Sequence, residues 1–348
     1  MNIVYAANDA YARHLGVSMC SVFGRNRQQK VIRVFVLSMG ISGESRHALL
    51  AITKRYRREL VFIEMDDLQD RLRIPGTQID GTTAPDVDMS PGERIPSERE
   101  ADTGAYDVSV MLRLFMGEVL PEEVNRVIYL DCDTVAVRPL GGLWRTDLAG
   151  HVVGAVMEPT IYPAVRESIG LRAGAPYFNS GVLLVDLEQW RKTGVQKTLL
   201  DFWRAGNGAF FASDQDVING ALAGRIQILS PKYNFFTNYR YFSYGTLVRH
   251  AAGYRAVSRE EFVQAKRHPV IIHYMGDERP WIAGNRNHYR RAYEEYLART
   301  PWAGTPPEKG KEAYMLAYHL MDYVTVVCPA VRWEISRRMG MKWANRKK

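Results

Sequence analysis

Three cysteines in 348 residues, Cys20, Cys132 and Cys328, are too few and too scattered for a disulfide framework. No Cys-x-x-Cys pair occurs, which argues against a zinc ribbon, and a reducing compartment suits such a set. The chain opens MNIVYAANDAYARHLGVSMCSVF, without the basic start and long apolar run of a signal peptide. Asn8 and Asp9 interrupt the apolar residues early, so this start reads as the first β-strand. No Gly-rich phosphate loop follows that strand, and no internal repeat is present. Net positive charge is scarce over most of the chain. The net charge is +8, yet residues 330–348 hold seven basic side chains against Glu334, so the body is nearly neutral. A nucleic-acid enzyme would spread its basic surface over the fold, and no nucleic-acid partner is expected. Nothing in the sequence sets an oligomeric state.

The hydrophobic fraction of 46% and charged fraction of 24% are those of a folded globular chain. Residues 2–7, 31–38 and 60–65 read as strands and 11–23 and 42–58 as helices, a β-α-β-α-β order that predicts a parallel sheet with crossover helices. Residues 75–105 are rich in Pro, Gly and charge and read as a long loop insertion, functional or mobile. A helix is expected over 107–119, strands at 124–137 and 151–158, a turn that becomes a strand within 177–191, helices over 188–205 and 214–223, and a late strand at 268–276. Residues 301–312 read as a linker. The expected organisation is one α/β domain over 1–300, Rossmann-like with a mixed, mainly parallel sheet. A linker and a basic, aromatic, helical tail occupy 301–348. The tail's apolar half holds His319 and Asp322 and ends at Pro329, too short to span a bilayer. Its basic half carries Trp333 and Trp343, which suits the surface of an anionic membrane, or a helix packed on the body.

Three Asp-x-Asp triplets occur: Asp86/Asp88, Asp131/Asp133 and Asp214/Asp216. The first lies in the Pro-rich loop and reads as solvated. The second follows the apolar run VIYL. In extended backbone both carboxylates would share a face while Cys132 points into the core. At the carboxyl end of a strand in an open sheet they would sit where ligands bind. A divalent cation would relieve their mutual repulsion, although a turn or helix cap is the plainer alternative. His273, in VIIHYMGDERPW, ends an apolar strand and is the third ligand candidate, set against a core or surface histidine. Two carboxylates with an imidazole suit Mn²⁺ better than Ca²⁺. Gly276 would allow close approach of a phosphate, and Arg279 would supply a permanently charged planar donor.

Taken together, AANDAY, YLDCDTVAV, YFNSGVLLVDLEQWR, SDQDVIN, YNF and HYMGDERPW resemble glycosyltransferase family 8. The resemblance is nearest to its bacterial lipopolysaccharide galactosyl- and glucosyltransferases, and glycogenin is more distant. The motifs run in family order from residue 3 to residue 281 and are specific jointly. The resemblance implies a GT-A type fold, with Asp131, Asp133 and His273 holding Mn²⁺ or Mg²⁺. It places Ala6, Ala7 and Asn8 around the uridine of a UDP-sugar, Asn8 standing where the family often has Asp. Arg113, Asp131, Cys132, Asn179, Gly276 and Arg279 join them in donor binding, Arg279 replacing the usual lysine. It implies catalytic roles for Asp214, which orients the sugar, and Gln215, nearest the reacting face. Glu158 is a weak candidate for acceptor contact, equally readable as a solvated strand end.

The implied reaction moves glucose or galactose from a UDP-sugar to a saccharide or glycolipid acceptor, in lipopolysaccharide or glycan assembly. The anomeric configuration is retained. Gln215 is a poor nucleophile, so front-face attack with the departing phosphate as base is expected. Asp216 is a less favoured nucleophile, or simply a carboxylate at a helix start. The tail's likeness to the membrane-attaching tail of the bacterial members implies a cytoplasmic protein on the inner face of the cell membrane. The alternatives are a nucleotidyltransferase that makes nucleotide-sugars, and an inactive sugar-binding protein or membrane adaptor.

Overall fold

The computed structural model describes residues 1–73, 108–159, 163–328, 330–335 and 338. The expected loop insertion at 75–105, with Asp86 and Asp88, lies outside them, as does most of the basic tail. Ten strands are described: β1 (Asn2–Asn8), β2 (Arg33–Met39), β3 (Glu59–Glu64), β4 (Arg126–Leu130), β5 (Thr134–Ala136), β6 (Val153–Met157), β7 (Phe178–Asp186), β8 (Ile226–Ile228), β9 (Phe235–Phe236) and β10 (Ile271–His273). Seven of them form one sheet in the order β3-β2-β1-β4-β7-β6-β8. Only β7 runs antiparallel to its neighbours, β4 and β6; every other pair is parallel. This is the mixed, mainly parallel sheet of a GT-A type α/β fold.

Burial explains the local sequences. The central strands are covered on both faces, so they read as continuous apolar runs, such as Val34–Leu37 of β2. The edge strand β3 instead alternates, and leaves Val61 exposed. Helix α1 (Ala12–Arg25) is buried almost continuously from His14 to Phe23, because it lies between the sheet and helix α4 (Arg290–Leu297). Helix α2 (Gly43–Tyr56) shows one buried stripe through Leu49, Ile52 and Thr53, and Ser42 caps its start by accepting from Ser45 N–H.

The chain runs outward from β1 to β2 and β3, then returns to the other side of β1 as β4. The strand order therefore reverses between β1 and β4, whose carboxyl ends are Asn8 and Leu130. That switch point is the crevice where open α/β sheets receive ligands.

Several segments fold differently from the expectation. Residues 124–137 form two strands in two sheets. The amide of Asp131 donates to Gly181 O at 2.7 Å and the Thr134 hydroxyl to Asp131 O at 2.7 Å, so the chain turns over Asp131–Asp133. It then enters a three-stranded sheet, β5-β10-β9. The expected helix over 188–205 breaks at Gly194, whose φ of +64° starts a second helix, Val195–Ala205, after Leu187–Lys192. Residues 108–115 are a 3₁₀ run continued by the short helix Met116–Val119. Helix α3 (Ser213–Ala221) covers the SDQDVIN segment.

The C-terminal region contains the expected helix. Residues before it are held on the domain: Glu308 exchanges backbone bonds with Trp281 and Ala283, and pairs with Arg13 at 2.7 Å. Helix α5 (Glu312–Thr325) follows, and Asp322 meets Arg332 and the Tyr241 hydroxyl in a buried cluster. Among the described residues, no helix is long and apolar enough to cross a membrane.

Candidate active site

The turn after β4 and the end of β10 bring three expected ligands together. His273 pairs across to Thr134 in the β5–β10 register, which sets its imidazole over the turn. Its Nε2 lies 3.1 Å from Asp133 Oδ1 and 3.9 Å from Asp131 Oδ2. One ligand atom from each of the three residues falls within 4.8 Å of the others. The convergence comes from a turn and a strand register, not from the two-residue period of an extended strand. Cys132, between the acids, is buried as expected, and its thiol donates to Ala6 O at 3.4 Å.

The donor set fits a divalent cation. His273 Nδ1–H donates to Asn234 Oδ1 at 2.9 Å, a tautomer fixed because Asn234 Nδ2 is already donating to Asn179 Oδ1 at 2.8 Å. That arrangement turns the Nε2 lone pair toward the acids. Asp131 divides its two oxygens: Oδ1 takes the Tyr129 hydroxyl at 3.0 Å and Arg113 Nη2 at 2.9 Å, and Oδ2 faces His273. Asp133 Oδ1 is buried and makes no hydrogen bond, its approach to His273 being an ion-pair distance without hydrogen-bond alignment. Buried acceptors of this kind are costly unless a positive charge meets them. A protonated His273 would meet them. Burial pushes the His273 pKa down, but Asp133, Asp131 and Glu158 outweigh it and raise the value. A cation would take that role.

Behind the ligands runs a buried chain of amides. Asn179 Oδ1 accepts from Gly181 N–H at 2.9 Å and from Asn234, so its Nδ2 donates onward to Glu158 Oε2 at 3.1 Å and Gln215 Oε1 at 3.0 Å. Gln215 Oε1 also accepts from Ser180 N–H at 3.1 Å, while its Nε2 donates to the Tyr177 hydroxyl at 3.2 Å. Tyr177 in turn donates to Asp216 Oδ1 at 2.5 Å, and Asp216 Oδ2 takes Ala212 N–H at 2.8 Å. Asp216 is thus committed to the start of α3. Glu158 is buried and bonded to Asn179, so it is no solvated strand end.

Arg113 ties this half to the acids. Its fork reaches Asp131 Oδ1, Ser180 O at 2.7 Å and Asp214 Oδ2 at 3.1 Å, and its guanidinium lies 4.5 Å from the Tyr129 ring centroid. Burial raises the Asp214 pKa from 3.8 to about 6; Arg113 opposes the rise and Asp131 adds to it. Ser213, just before, has φ +41°, a conformation that bulky residues rarely adopt.

The other wall comes from β1 and the loop after β10. Asn8 Oδ1 accepts Tyr11 N–H at 3.2 Å, capping the 3₁₀ turn Asp9–Tyr11, and the Ala7 side chain is buried, so Ala7 offers only backbone. Gly276 holds φ +63° and turns the chain so that Arg279 reaches back over Tyr11, 6.0 Å from its ring centroid. His14 stacks on Trp281 at 3.7 Å between centroids and anchors this loop. Among the described residues Arg279 has no ion-pair partner, and its Nε is buried without an acceptor. A fixed, unpaired guanidinium beside Asp133 is arranged for an anion.

The sequence profile of Glycosyl transferase family 8 matches residues 2–284. The chain belongs to this family. It is 25% identical over 305 residues to general stress protein A of Bacillus subtilis strain 168, covering 87% of this chain and 94% of that one. It is 25% identical over 314 residues to lipopolysaccharide 1,2-glucosyltransferase of Escherichia coli K12, covering 89% and 81%. Among solved structures it is similar to galactosyltransferase LgtC in complex with donor and acceptor sugar analogues. The TM-score is 0.64 at 25% identity, with 86% of this chain and 96% of that one covered.

In this member of glycosyl transferase family 8, Asp131, Asp133 and His273 come together, and hydrogen bonds and ion pairs link Arg113, Asn179, Asp214, Gln215 and Glu158 to them. Asn234, Tyr129, Tyr177, Tyr11 and Gly181 were missed as individual positions. Asn234 was within reach of the sequence, because it is the central residue of the YNF segment. The tyrosines lacked any signal, since an apolar strand uses tyrosine for packing as readily as for polar work. Gly181 is required by close approach: a Cβ there would overlap His273 Cε1 and Asp131 Oδ2.

Gly181→Ala should therefore keep the fold and weaken divalent-cation binding by about tenfold or more, as expected when the support of metal ligands is disturbed. Isothermal titration of Mn²⁺ into both proteins checks this, and equal affinity would contradict the close-approach role. Asp214 gives a second expectation. Its folded-state pKa lies above the unfolded value, so the folded chain holds the proton more tightly. Stability from this group is present at low pH and is lost as pH rises from 3.8 toward about 6. In EDTA, thermal unfolding should show Asp214→Asn gaining stability relative to the parent between pH 4 and pH 7; a pH-independent difference would contradict the shift.

Proposed function

We propose that the chain is a retaining hexosyltransferase that moves glucose or galactose from a UDP-sugar to a saccharide or glycolipid acceptor in lipopolysaccharide or related cell-surface glycan assembly. One observation carries the reading. Asp131, Asp133 and His273 converge with a buried, unbonded carboxylate oxygen, and the unpaired Arg279 lies beside them. A divalent cation held there, Mn²⁺ or Mg²⁺, supplies Lewis-acid stabilisation to the negative charge of a diphosphate. The relatives named for glucosyl and galactosyl transfer support a hexose donor.

The chain's own residues define the rest. Arg279 offers a second positive charge to the leaving diphosphate, and stabilising charge that develops only in the transition state is what accelerates the step. Arg113 holds Asp131 with one oxygen facing the ligand cluster and keeps Asp214 close by. Gln215 has its carbonyl occupied by two donors and its NH₂ directed at Tyr177. It can present a fixed dipole to the sugar and cannot act as a strong nucleophile. Asp216 is committed to Tyr177 and Ala212. With neither side chain available for covalent attack, front-face transfer with the departing phosphate as base is the favoured route. Asp214 orients the sugar, Asn179 sits beside its ring, Glu158 faces the acceptor side, and Ala6, Ala7 and Asn8 cup the uridine. Cys132 carries the turn under the donor, and Gly276 lets the diphosphate approach the backbone.

The same proposal places the protein on the cytoplasmic face of the membrane. Support comes from α5 and its end, where Leu316, Leu320, Tyr323 and Val327 are 64%, 62%, 80% and 86% exposed next to the basic run at 330–348.

UDP release from UDP-glucose and UDP-galactose, measured with and without Mn²⁺, tests the chemistry. Asp131→Ala and Asp133→Ala should lose metal-stimulated release by about 10²-fold or more; turnover that survives a chelator would refute the metal-assisted reading. The membrane arm is separate. Leu316→Glu/Leu320→Glu/Tyr323→Glu should keep turnover in solution and lose co-sedimentation with phosphatidylglycerol vesicles, and undiminished co-sedimentation would reject it.

A further inference from the structure

At the opposite end of the sheet from Asn8 and Asp131, where β2 and β3 begin, five arginines converge on one cavity of about 580 Å³. Arg27 follows α1, Arg55, Arg57 and Arg58 come from the end of α2, and Arg299 follows α4. Phe23 and Tyr56 supply an apolar wall. The volume is that of a small-ligand site, within the usual range of about 300–1,000 Å³.

The ordinary explanation is that these arginines satisfy helix ends, and two of them partly do. Arg58 donates from Nη1 to Gln29 O at 2.8 Å and from Nη2 to Asn26 O at 3.3 Å, and Arg55 Nη1 reaches Arg299 O at 3.0 Å. Charge shows that this is not enough. The ends of α1 and α2 contribute about half a negative charge each. No carboxylate among the described residues lies within ion-pair distance of any of the five guanidiniums. With the end of α4 counted in the same way, roughly three to four positive charges are left uncompensated among the described residues. Arg58 Nε is buried without an acceptor, and Arg27 and Arg57 are exposed and make no side-chain hydrogen bond. Residues 1–329 sum to +2 with these five arginines and to −3 without them, so this is a local concentration of charge and not part of a basic surface.

We propose that this cavity binds a ligand carrying two or more phosphate groups on a small body, at a site separate from the donor crevice. Guanidinium forks match phosphate oxygens in pairs. A phosphate monoester carries about −1.5 to −2 at neutral pH, so two such groups balance the uncompensated charge and one does not. A soluble compound and a lipid headgroup with such phosphates present the same chemistry to the arginines.

The test uses the full chain in EDTA, with inorganic pyrophosphate followed by calorimetry. A second arm uses phosphatidylcholine vesicles doped with phosphatidylinositol 4,5-bisphosphate, whose headgroup carries two phosphate monoesters, in the Leu316→Glu/Leu320→Glu/Tyr323→Glu background that removes the other apolar contact. Arg27→Gln/Arg57→Gln should weaken binding of at least one probe about tenfold or more. Arg279→Ala should leave that binding intact, which separates this site from the donor crevice and from the fate of the proposed function. Loss of pyrophosphate binding assigns a soluble ligand, and loss of vesicle binding assigns a headgroup. Arg225→Gln/Lys309→Gln removes equal charge elsewhere and should change neither. The proposal is overturned if that control loses binding equally, or if neither probe depends on Arg27 and Arg57.

Discussion

Two carboxylates and an imidazole meet where the chain leaves one sheet for another, and that meeting organises the molecule. β4 belongs to the seven-stranded sheet and β5 to the three-stranded one, with only Asp131, Cys132 and Asp133 between them. The acids must therefore lie in a turn, and the antiparallel pairing of β5 with β10 delivers His273 to them. Negative charge buried at such a junction requires a positive partner. The His273 imidazole, Arg113 and Arg279 surround it, and a divalent cation suits the same geometry.

The amide chain from Asn234 through Asn179 to Gln215 has a single direction of donation. Gly181 N–H and Asn234 Nδ2 both donate to Asn179 Oδ1, which forces the Asn179 NH₂ toward Glu158 and Gln215. The same bonds fix the His273 tautomer at one end and the Gln215 dipole at the other. A buried network of this kind holds its members in one orientation only when every polar atom is satisfied. Beside this network Asp133 Oδ1, Asp214 Oδ2 and Arg279 Nε are buried without a hydrogen-bond partner.

The two ends of the sheet carry different charge arrangements. The carboxyl ends gather acids with compensating cations, which suits a metal-bound anion. The opposite end gathers five arginines around one cavity, none with a carboxylate at ion-pair distance among the described residues. Both follow from one architecture: strand carboxyl ends lead into functional loops, and helix carboxyl ends collect cations that favour their dipoles. Arginines beyond the number that the helix ends can satisfy distinguish the second site from ordinary capping.

The sequence by itself determined the alternation of strands and helices through residue 65, because burial on both faces demands unbroken apolar runs. It also pointed to the acidic pair and His273, since these residue types end apolar strands where solvated groups have little reason to be. It did not reveal that residues 124–137 divide between two sheets, that β7 runs antiparallel, or that Gly194 breaks a helix, for each depends on partners far away in the chain. Tertiary structure alone decided that His273 pairs with Thr134 and so reaches Asp133, that Gly181 must lack a side chain, and that Arg27, Arg57 and Arg299 face one cavity. Local sequence sets backbone preference and burial pattern. The distance between side chains 140 residues apart is set by how the sheets pair.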